Sequence, residues 1–199
     1  MKIYGLTGSI ATGKSTVANI LKEHCNVPII DADNLAREAV EIGSNGLRGI
    51  INEFGQEILL PDGSLNRKRL GNIVFGDNKA IEVLNSIVHP EVRILYNKYI
   101  EGYRQKGYKT IIYDCPLLIE ANLMDSVDEI ILVVADESTQ LKRLMERNNF
   151  NEEEAMKRIQ SQMKVKEKIS YANYVIYNDV DYEGLKDGVI YLWKEKNEK

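Results

Sequence analysis

Short apolar runs rich in β-branched and aromatic residues alternate along this chain with longer stretches whose apolar positions recur at helical spacing. The runs fall at residues 2–6, 28–30, 110–113, 129–134 and 174–177. Several are continuously apolar, as strands covered on both faces are. Strand-like runs separated by helical patterns predict an α/β fold built on a five-stranded parallel sheet flanked by helices. The chain has no internal repeat and no low-complexity segment.

Two stretches exceed what a minimal alternating fold needs. Residues 34–107 are too long for one crossover. They read as helices at 34–41, 46–54, 67–74 and 81–105, with a turn at Leu60-Pro61-Asp62-Gly63, where Pro presets φ and Gly accepts positive φ. This is expected to be a helical insertion that builds a pocket for a second substrate. Residues 138–170 read as two helices, 138–148 and 152–163, broken at Asn148-Asn149-Phe150 and forming a small mobile lid. Asn151 with Glu154 has the layout of a capping box for the second helix. The rest (about 1–33, 108–137 and 171–199) would form the core of a single domain.

The first strand runs into Gly8-Ser9-Ile10-Ala11-Thr12-Gly13-Lys14-Ser15, two glycines with Lys-Ser after the second, followed by a helix on which Ala18, Leu21 and Cys25 share a face. Strand, loop and helix in that order mark a phosphate-binding loop, and so a nucleoside triphosphate with magnesium. Gly8 and Gly13 permit backbone shapes and approaches that a Cβ would forbid. The N–H groups of the loop, including those of Ala11 and Thr12, can turn inward as an anion nest. The helix from Ser15 and Thr16 adds its positive end. Lys14 can reach the β- and γ-phosphates, and the Ser15 hydroxyl can ligate magnesium.

Composition adds little to this. The 199 residues are 44% hydrophobic and 28% charged, as in ordinary soluble proteins. No apolar run is long enough to span a membrane, and the N-terminus lacks a signal-peptide layout. Cys25 and Cys115 have no metal-ligand spacing and read as two reduced thiols, so a cytoplasmic location is expected. The net charge of −4 argues against a nucleic-acid partner. The charge is uneven, however. Residues 140–170 hold eight Lys/Arg against five Asp/Glu, a local +3. That surplus fits an element closing on phosphates, or a solvated helical face.

In open parallel sheets, ligands sit beyond the carboxyl ends of the strands. Asp31-Ala32-Asp33 follows the second strand and Asp114 the third. Asp33 could cap the next helix, or act as the base that takes the proton of an attacking hydroxyl. Asp114 could ligate magnesium, directly or through water, or end a strand in a turn. Asn178, after the last strand, could face the nucleotide base or serve a turn. Arg143 and Arg147 share one face of the lid, and Arg158 with Gln162 repeats the arrangement. Guanidinium groups there could meet charge on a transferring phosphoryl group. His89-Pro90 reads as a junction between helical patterns with Pro90 at a helix start. His24 reads as a helix-surface residue.

Together these motifs closely resemble the dephospho-coenzyme A kinase family. The resemblance rests on residues 6–16, Asp31-Ala32-Asp33 with Ala36-Arg37, Phe54-Gly55, His89-Pro90, Pro116-Leu117-Leu118 with Glu120, and residues 140–143 with Arg147. It covers essentially the whole chain. It implies a P-loop kinase fold with core, coenzyme-binding insertion and lid. It also implies transfer of the ATP γ-phosphate to the 3′-hydroxyl of the dephospho-CoA ribose. By motif position, Asp33 would be the base, Lys14 the phosphate clamp, Ser15 a magnesium ligand, and Arg143 and Arg147 the lid cations. Arg37, His89, Arg93 and Leu118 would line the coenzyme site. A monomer is expected. The alternatives are a P-loop kinase for another small metabolite or nucleotide, a regulatory GTPase, or a remodelling ATPase. The GTPase reading fails for want of Asn-Lys-x-Asp after a strand. The ATPase reading is weakened because Asp128-Glu129 precedes its strand.

Overall fold

The computed structural model describes residues 1–197. The chain forms two compact units, one from residues 1–29 with the chain from Tyr108 onward, the other from residues 30–107. A five-stranded sheet comprises β1 (Lys2–Gly8), β2 (Ile29–Asp31), β3 (Thr110–Asp114), β4 (Glu129–Val134) and β5 (Tyr174–Tyr177), in the order β2-β3-β1-β4-β5. The β1–β3, β1–β4 and β4–β5 pairs are all parallel.

The first unit buries the sheet on both faces. Tyr4, Leu6, Ile112, Ile131 and Val133 pack with Val17, Ala18, Ile20 and Leu21 of α1 (Lys14–His24). Leu185, Val189 and Trp193 of α9 (Tyr182–Asn197) complete this cluster, four residues apart on one helix face. The Tyr4 and Trp193 rings meet edge to face at 5.4 Å. Ile111, Tyr113, Ile130, Leu132 and Val134 are buried on the alternate positions of the same strands. Burial on both faces is why these strands read as continuous apolar runs.

Beyond β4 come α6 (Glu137–Asn148), α7 (Glu152–Gln160) and α8 (Val165–Ile169). Asn149, at φ +53, ends α6 where the Asn-Asn-Phe break is predicted, and the Asn151/Glu154 capping box is formed. The stretch predicted as one helix over 152–163 differs. The Ser161 hydroxyl donates back to the Arg158 carbonyl and closes α7 at Gln160. Gln162 therefore sits in the corner before α8 instead of one turn beyond Arg158 on a helix.

The second unit contains α2 (Ala32–Glu38), α3 (Asn45–Phe54), α4 (Arg67–Val74) and α5 (Asn78–Gln105). Its core is Ala39, Val40, Ile50, Ile58 and Leu70, with Leu84, Ile87, Val88 and Val92 of α5 against it. The Pro61-Asp62-Gly63 turn forms as expected. The Gly63 N–H donates to the Leu60 carbonyl at 2.9 Å, and Leu59 bridges Leu65. One expectation fails. Pro90 does not start a helix but lies inside α5. A proline there removes one helical hydrogen bond and crowds the preceding turn. The apolar face of α5 on the unit's core keeps the helix continuous. Among the described residues no helix is long and apolar enough to cross a membrane.

Candidate active site

β1 is the central strand, and its register positions the chemistry. Leu6 lies opposite Asp114 of β3 and Gly8 opposite Val133 of β4. The carboxyl end of β3 thus stands beside the loop that leaves β1. Lys14, the first residue of α1, points back to it and its Nζ donates to the Asp114 carboxylate. Both side chains are largely shielded, at 14% and 9% exposure. Shielding strengthens the pairing, and Asp114 fixes the direction of an otherwise flexible lysine stem.

The loop itself is braced from several directions. The Thr12 hydroxyl donates to the Ser9 carbonyl at 2.8 Å. A Cβ on Gly8 would stand 2.7 Å from the Val133 carbonyl oxygen, too close for any side chain. Gly13 has φ +88, and a Cβ there would stand 2.0 Å from the Asn178 amide nitrogen. Ala11 adopts φ +59 without being glycine, a conformation costing about 1–2 kcal/mol. Ser15 is exposed in the first turn of α1, with Thr16 half-buried behind it.

Asn178 is buried directly after β5, and its Nδ2 donates to the Thr12 carbonyl at 2.8 Å. Its amide nitrogen is therefore committed to the loop backbone, which alters the expectation that Asn178 faces a nucleotide base. Its backbone carbonyl accepts from Arg143 Nη2 at 3.1 Å. Arg143 Nη1 is buried and has no hydrogen-bond partner among the described residues. It lies 3.8 Å from the place a Cβ on Gly13 would take. A buried guanidinium donor without an acceptor, beside an anion nest, suits an anionic ligand.

The other arginines of α6 and α7 are placed differently. Arg147 is exposed and its Nε donates to Asn148 Oδ1 at 2.9 Å. Arg158 lies 4.4 Å over the Phe150 ring, a cation–π contact. Gln162 Oε1 accepts from the Ile10 N–H of the loop at 2.7 Å. Lys168 of α8 is fully buried and forms an ion pair of 2.6 Å with Glu120, in the segment after β3. The Gln162 and Lys168 contacts are not legible in the sequence. They pair residues more than 40 positions apart, and the spacing that sets Gln162 beside Arg158 carries no sign of Ile10.

Leu118 is also fully buried, and a Cβ on Gly5 would come within 2.5 Å of it. Its side chain packs under β1 and offers no surface to a substrate, contrary to the role expected for it.

In the second unit, β2 ends at Asp31, and the Asp31 carboxylate accepts from the Asn34 N–H at 2.9 Å as the N-cap of α2. The capping role considered for Asp33 is thus filled by its neighbour. Asp33 is exposed in the first turn, and Arg37 is exposed one turn on. His89 and Arg93 are exposed one turn apart on α5. The Tyr99 hydroxyl donates to Glu38 at 2.8 Å, and that carboxylate, with burial, pushes the phenol above its ordinary value.

Among the described residues no three or more His, Cys, Asp and Glu side chains gather as a metal cage. Magnesium in nucleotide sites needs none, since it is held by one or two protein oxygens, phosphates and water. The Ser15 hydroxyl, in the first turn of α1, and the Asp114 carboxylate, at the end of β3, fit that pattern.

Proteins similar in sequence and in fold are known. A family model described as dephospho-CoA kinase matches residues 2–183. A dephospho-CoA kinase of Listeria monocytogenes is 46% identical over 95% of this chain and 94% of its own length. A Thermus thermophilus protein of known structure superposes with a TM-score of 0.80 at 31% identity, covering 98% of each chain. The dephospho-CoA kinase of Campylobacter jejuni does so with a TM-score of 0.67 at 26% identity, over 98% of this chain and 96% of its own.

Proposed function

The chain belongs to the dephospho-CoA kinase family, a family of enzymes that transfer a phosphoryl group to an alcohol, and from that premise we propose how its own residues divide the reaction. The first unit holds the donor, ATP. The N–H groups of Ala11, Thr12, Gly13, Lys14, Ser15 and Thr16 cradle the phosphates, and Lys14, aimed by Asp114, clamps the β- and γ-phosphates. The unpartnered Nη1 of Arg143 meets phosphate oxygens, and Arg147 adds a second cation from the same helix. The Ser15 hydroxyl and Asp114 would hold magnesium, which when bound neutralises charge on the β- and γ-phosphate oxygens.

The second unit serves the acceptor, dephospho-CoA. Asp33 accepts the proton of the ribose 3′-hydroxyl as the hydroxyl oxygen attacks the γ-phosphorus and the bond from that phosphorus to the β,γ-bridging oxygen breaks, releasing ADP. Arg37, His89 and Arg93 bind the coenzyme's phosphates and adenosine. Core, acceptor-binding insertion (about 34–107) and lid (about 138–170) are the functional parts of one domain, acting as a monomer in the cytoplasm. Phosphoryl transfer leaves the protein little covalent chemistry, so positioning and electrostatics carry the rate.

The observation that favours this reading is the uncommitted Asp33. Its neighbour caps the helix, so the Asp33 carboxylate remains available as a base. The test is ADP release with ATP and magnesium, using dephospho-CoA beside AMP, CMP, shikimate and no acceptor, with coenzyme A identified by mass. Release is expected only with dephospho-CoA. Asp33→Asn is expected to keep ATP affinity while kcat falls by roughly 10²–10⁴. Near-normal turnover in that variant would remove Asp33 from the role of base.

A further inference from the structure

The segment between α7 and β5 touches the donor site twice. At its start, Gln162 Oε1 accepts from the Ile10 N–H of the phosphate loop at 2.7 Å. Six residues on, fully buried Lys168 pairs with Glu120 at 2.6 Å. Glu120 lies six residues beyond Asp114, in the segment that leaves β3. One short stretch of chain is therefore fastened both to the loop that precedes Lys14 and to the segment that follows Asp114.

The two fastenings differ in kind. The Lys168–Glu120 contact is a buried ion pair, which is costly to break. The Gln162–Ile10 contact is a single neutral hydrogen bond from a half-buried side chain, the kind that contributes only about 0.5–1.5 kcal/mol net. Its donor is a backbone N–H of the loop itself, so the bond reports the position of the loop without consuming a side chain that binds phosphate. Lys168 is thus the firmly held end of this segment and Gln162 its lightly held end.

We propose that Gln162 is a positioning residue for phosphoryl transfer. Through the Ile10 N–H it holds the corner between α7 and α8 against the phosphate loop, so that the arginine-bearing helices sit over the donor phosphates in the geometry transfer requires. This rests on the kinase reading above. Gln162 acts through Ile10 and through the helices it holds, and itself touches no reacting atom.

Gln162→Met tests this, because it keeps the length and packing of the side chain and removes its amide, including the oxygen that accepts from Ile10. Hydrogen exchange at the Ile10 amide, read by NMR in the ATP-free protein, is expected to speed up in the variant. ATP affinity is expected to stay within about twofold of wild type, because no group that binds phosphate is lost. The dephospho-CoA-dependent kcat is expected to fall roughly 10- to 100-fold, as misplacement near the chemistry does. ATP hydrolysis without acceptor, relative to transfer, is expected to rise. A kcat within twofold of wild type with an unchanged hydrolysis ratio would overturn the proposal. So would a loss of kcat accompanied by an equal loss of ATP affinity and a lowered melting temperature, which would mark a purely structural role. Failure of the wild-type protein itself to transfer to dephospho-CoA would overturn the kinase reading instead. The exchange measurement would still decide whether Gln162 holds the Ile10 amide.

Discussion

Breaking the Lys168–Glu120 pair is expected to cost more stability than any other single polar change in the molecule. Lys168 is fully buried, while the Glu120 side chain keeps 20% of its surface in contact with solvent. Neither Glu120 oxygen nor Lys168 Nζ has a well-oriented hydrogen bond among the described residues, so each charge depends on the other at 2.6 Å. Such a pair contributes little net stability when intact, because both charges have left water. Removing one partner strands the other and costs about 3–5 kcal/mol. Both Glu120 oxygens are buried and the exposed part of that side chain is its stem, so Lys168→Met leaves an enclosed carboxylate and the whole range applies to it. Glu120→Gln leaves an equally enclosed ammonium, and the same range applies. In a chain of this length each kcal/mol shifts the melting temperature by about 2–4 °C, so the expected losses span roughly 6–20 °C. The double variant Lys168→Met/Glu120→Leu strands no charge and is expected to recover most of the loss. Thermal melts of the four ATP-free proteins, followed by circular dichroism, decide the matter. A loss under about 2 °C for either single variant, or a double variant no better than the worse single, would refute the reasoning.

Other outcomes follow from the site and from the foot of the sheet. Gly13→Ala is expected to cost about 1–2 kcal/mol from its positive φ and about 1 more by displacing the Asn178 amide from Thr12. ATP titration by calorimetry should show weakened binding in it, and unaltered affinity would contradict the crowding at that position. Asp114→Asn is expected to raise the magnesium concentration for half-maximal rate roughly 10- to 100-fold, and a rate curve that superimposes on wild type would remove Asp114 from the metal's ligands. At the start of β4, burial pushes the Glu129 carboxyl up, but hydrogen bonds from Lys2 and Tyr174 outweigh it and hold it below its ordinary value. Lys2 stands 2.9 Å away, and the same bond raises the Lys2 ammonium. A carboxylate whose folded value is depressed stabilises above its unfolded value, about 4.3, and loses that contribution as pH falls through the folded one. Glu129→Gln should therefore melt below wild type at neutral pH and converge with it on acidification, whereas a gap that persists in acid would count against the assignment.

Much of this was readable from residue order alone, for local reasons. The strand at 129–134 announces itself because burial on both faces leaves it continuously apolar after Glu129, and the half-buried strand at 174–177 because it is wholly aromatic and β-branched. The Asn151/Glu154 box and the Pro61-Asp62-Gly63 turn are legible because their hydrogen bonds close within three or four residues. Asp31 and Asp33 mark the boundary of legibility. The spacing shows two carboxylates at a strand end, but which one caps depends on where β2 stops, and sheet pairing fixes that. Asn178 was visible as a polar residue after a strand. Its bond to Thr12 spans 166 positions, so no local pattern carries it. Gln162 and Lys168 were hidden for the same reason.

The proline inside α5 changes the surface as well as the helix. Without an N–H at position 90, the carbonyl of Ser86 loses the donor that the helix would have given it. That oxygen opens on the turn that carries exposed His89, four residues before exposed Arg93. Helix flanks otherwise show ligands only what their side chains offer, because the main chain is internally satisfied. Here the main chain contributes an acceptor of its own, fixed in place and independent of pH, next to two basic side chains. A ligand lying along that flank would meet donors and an acceptor together, a mixed polarity suited to a hydroxyl or an amide as much as to an anion.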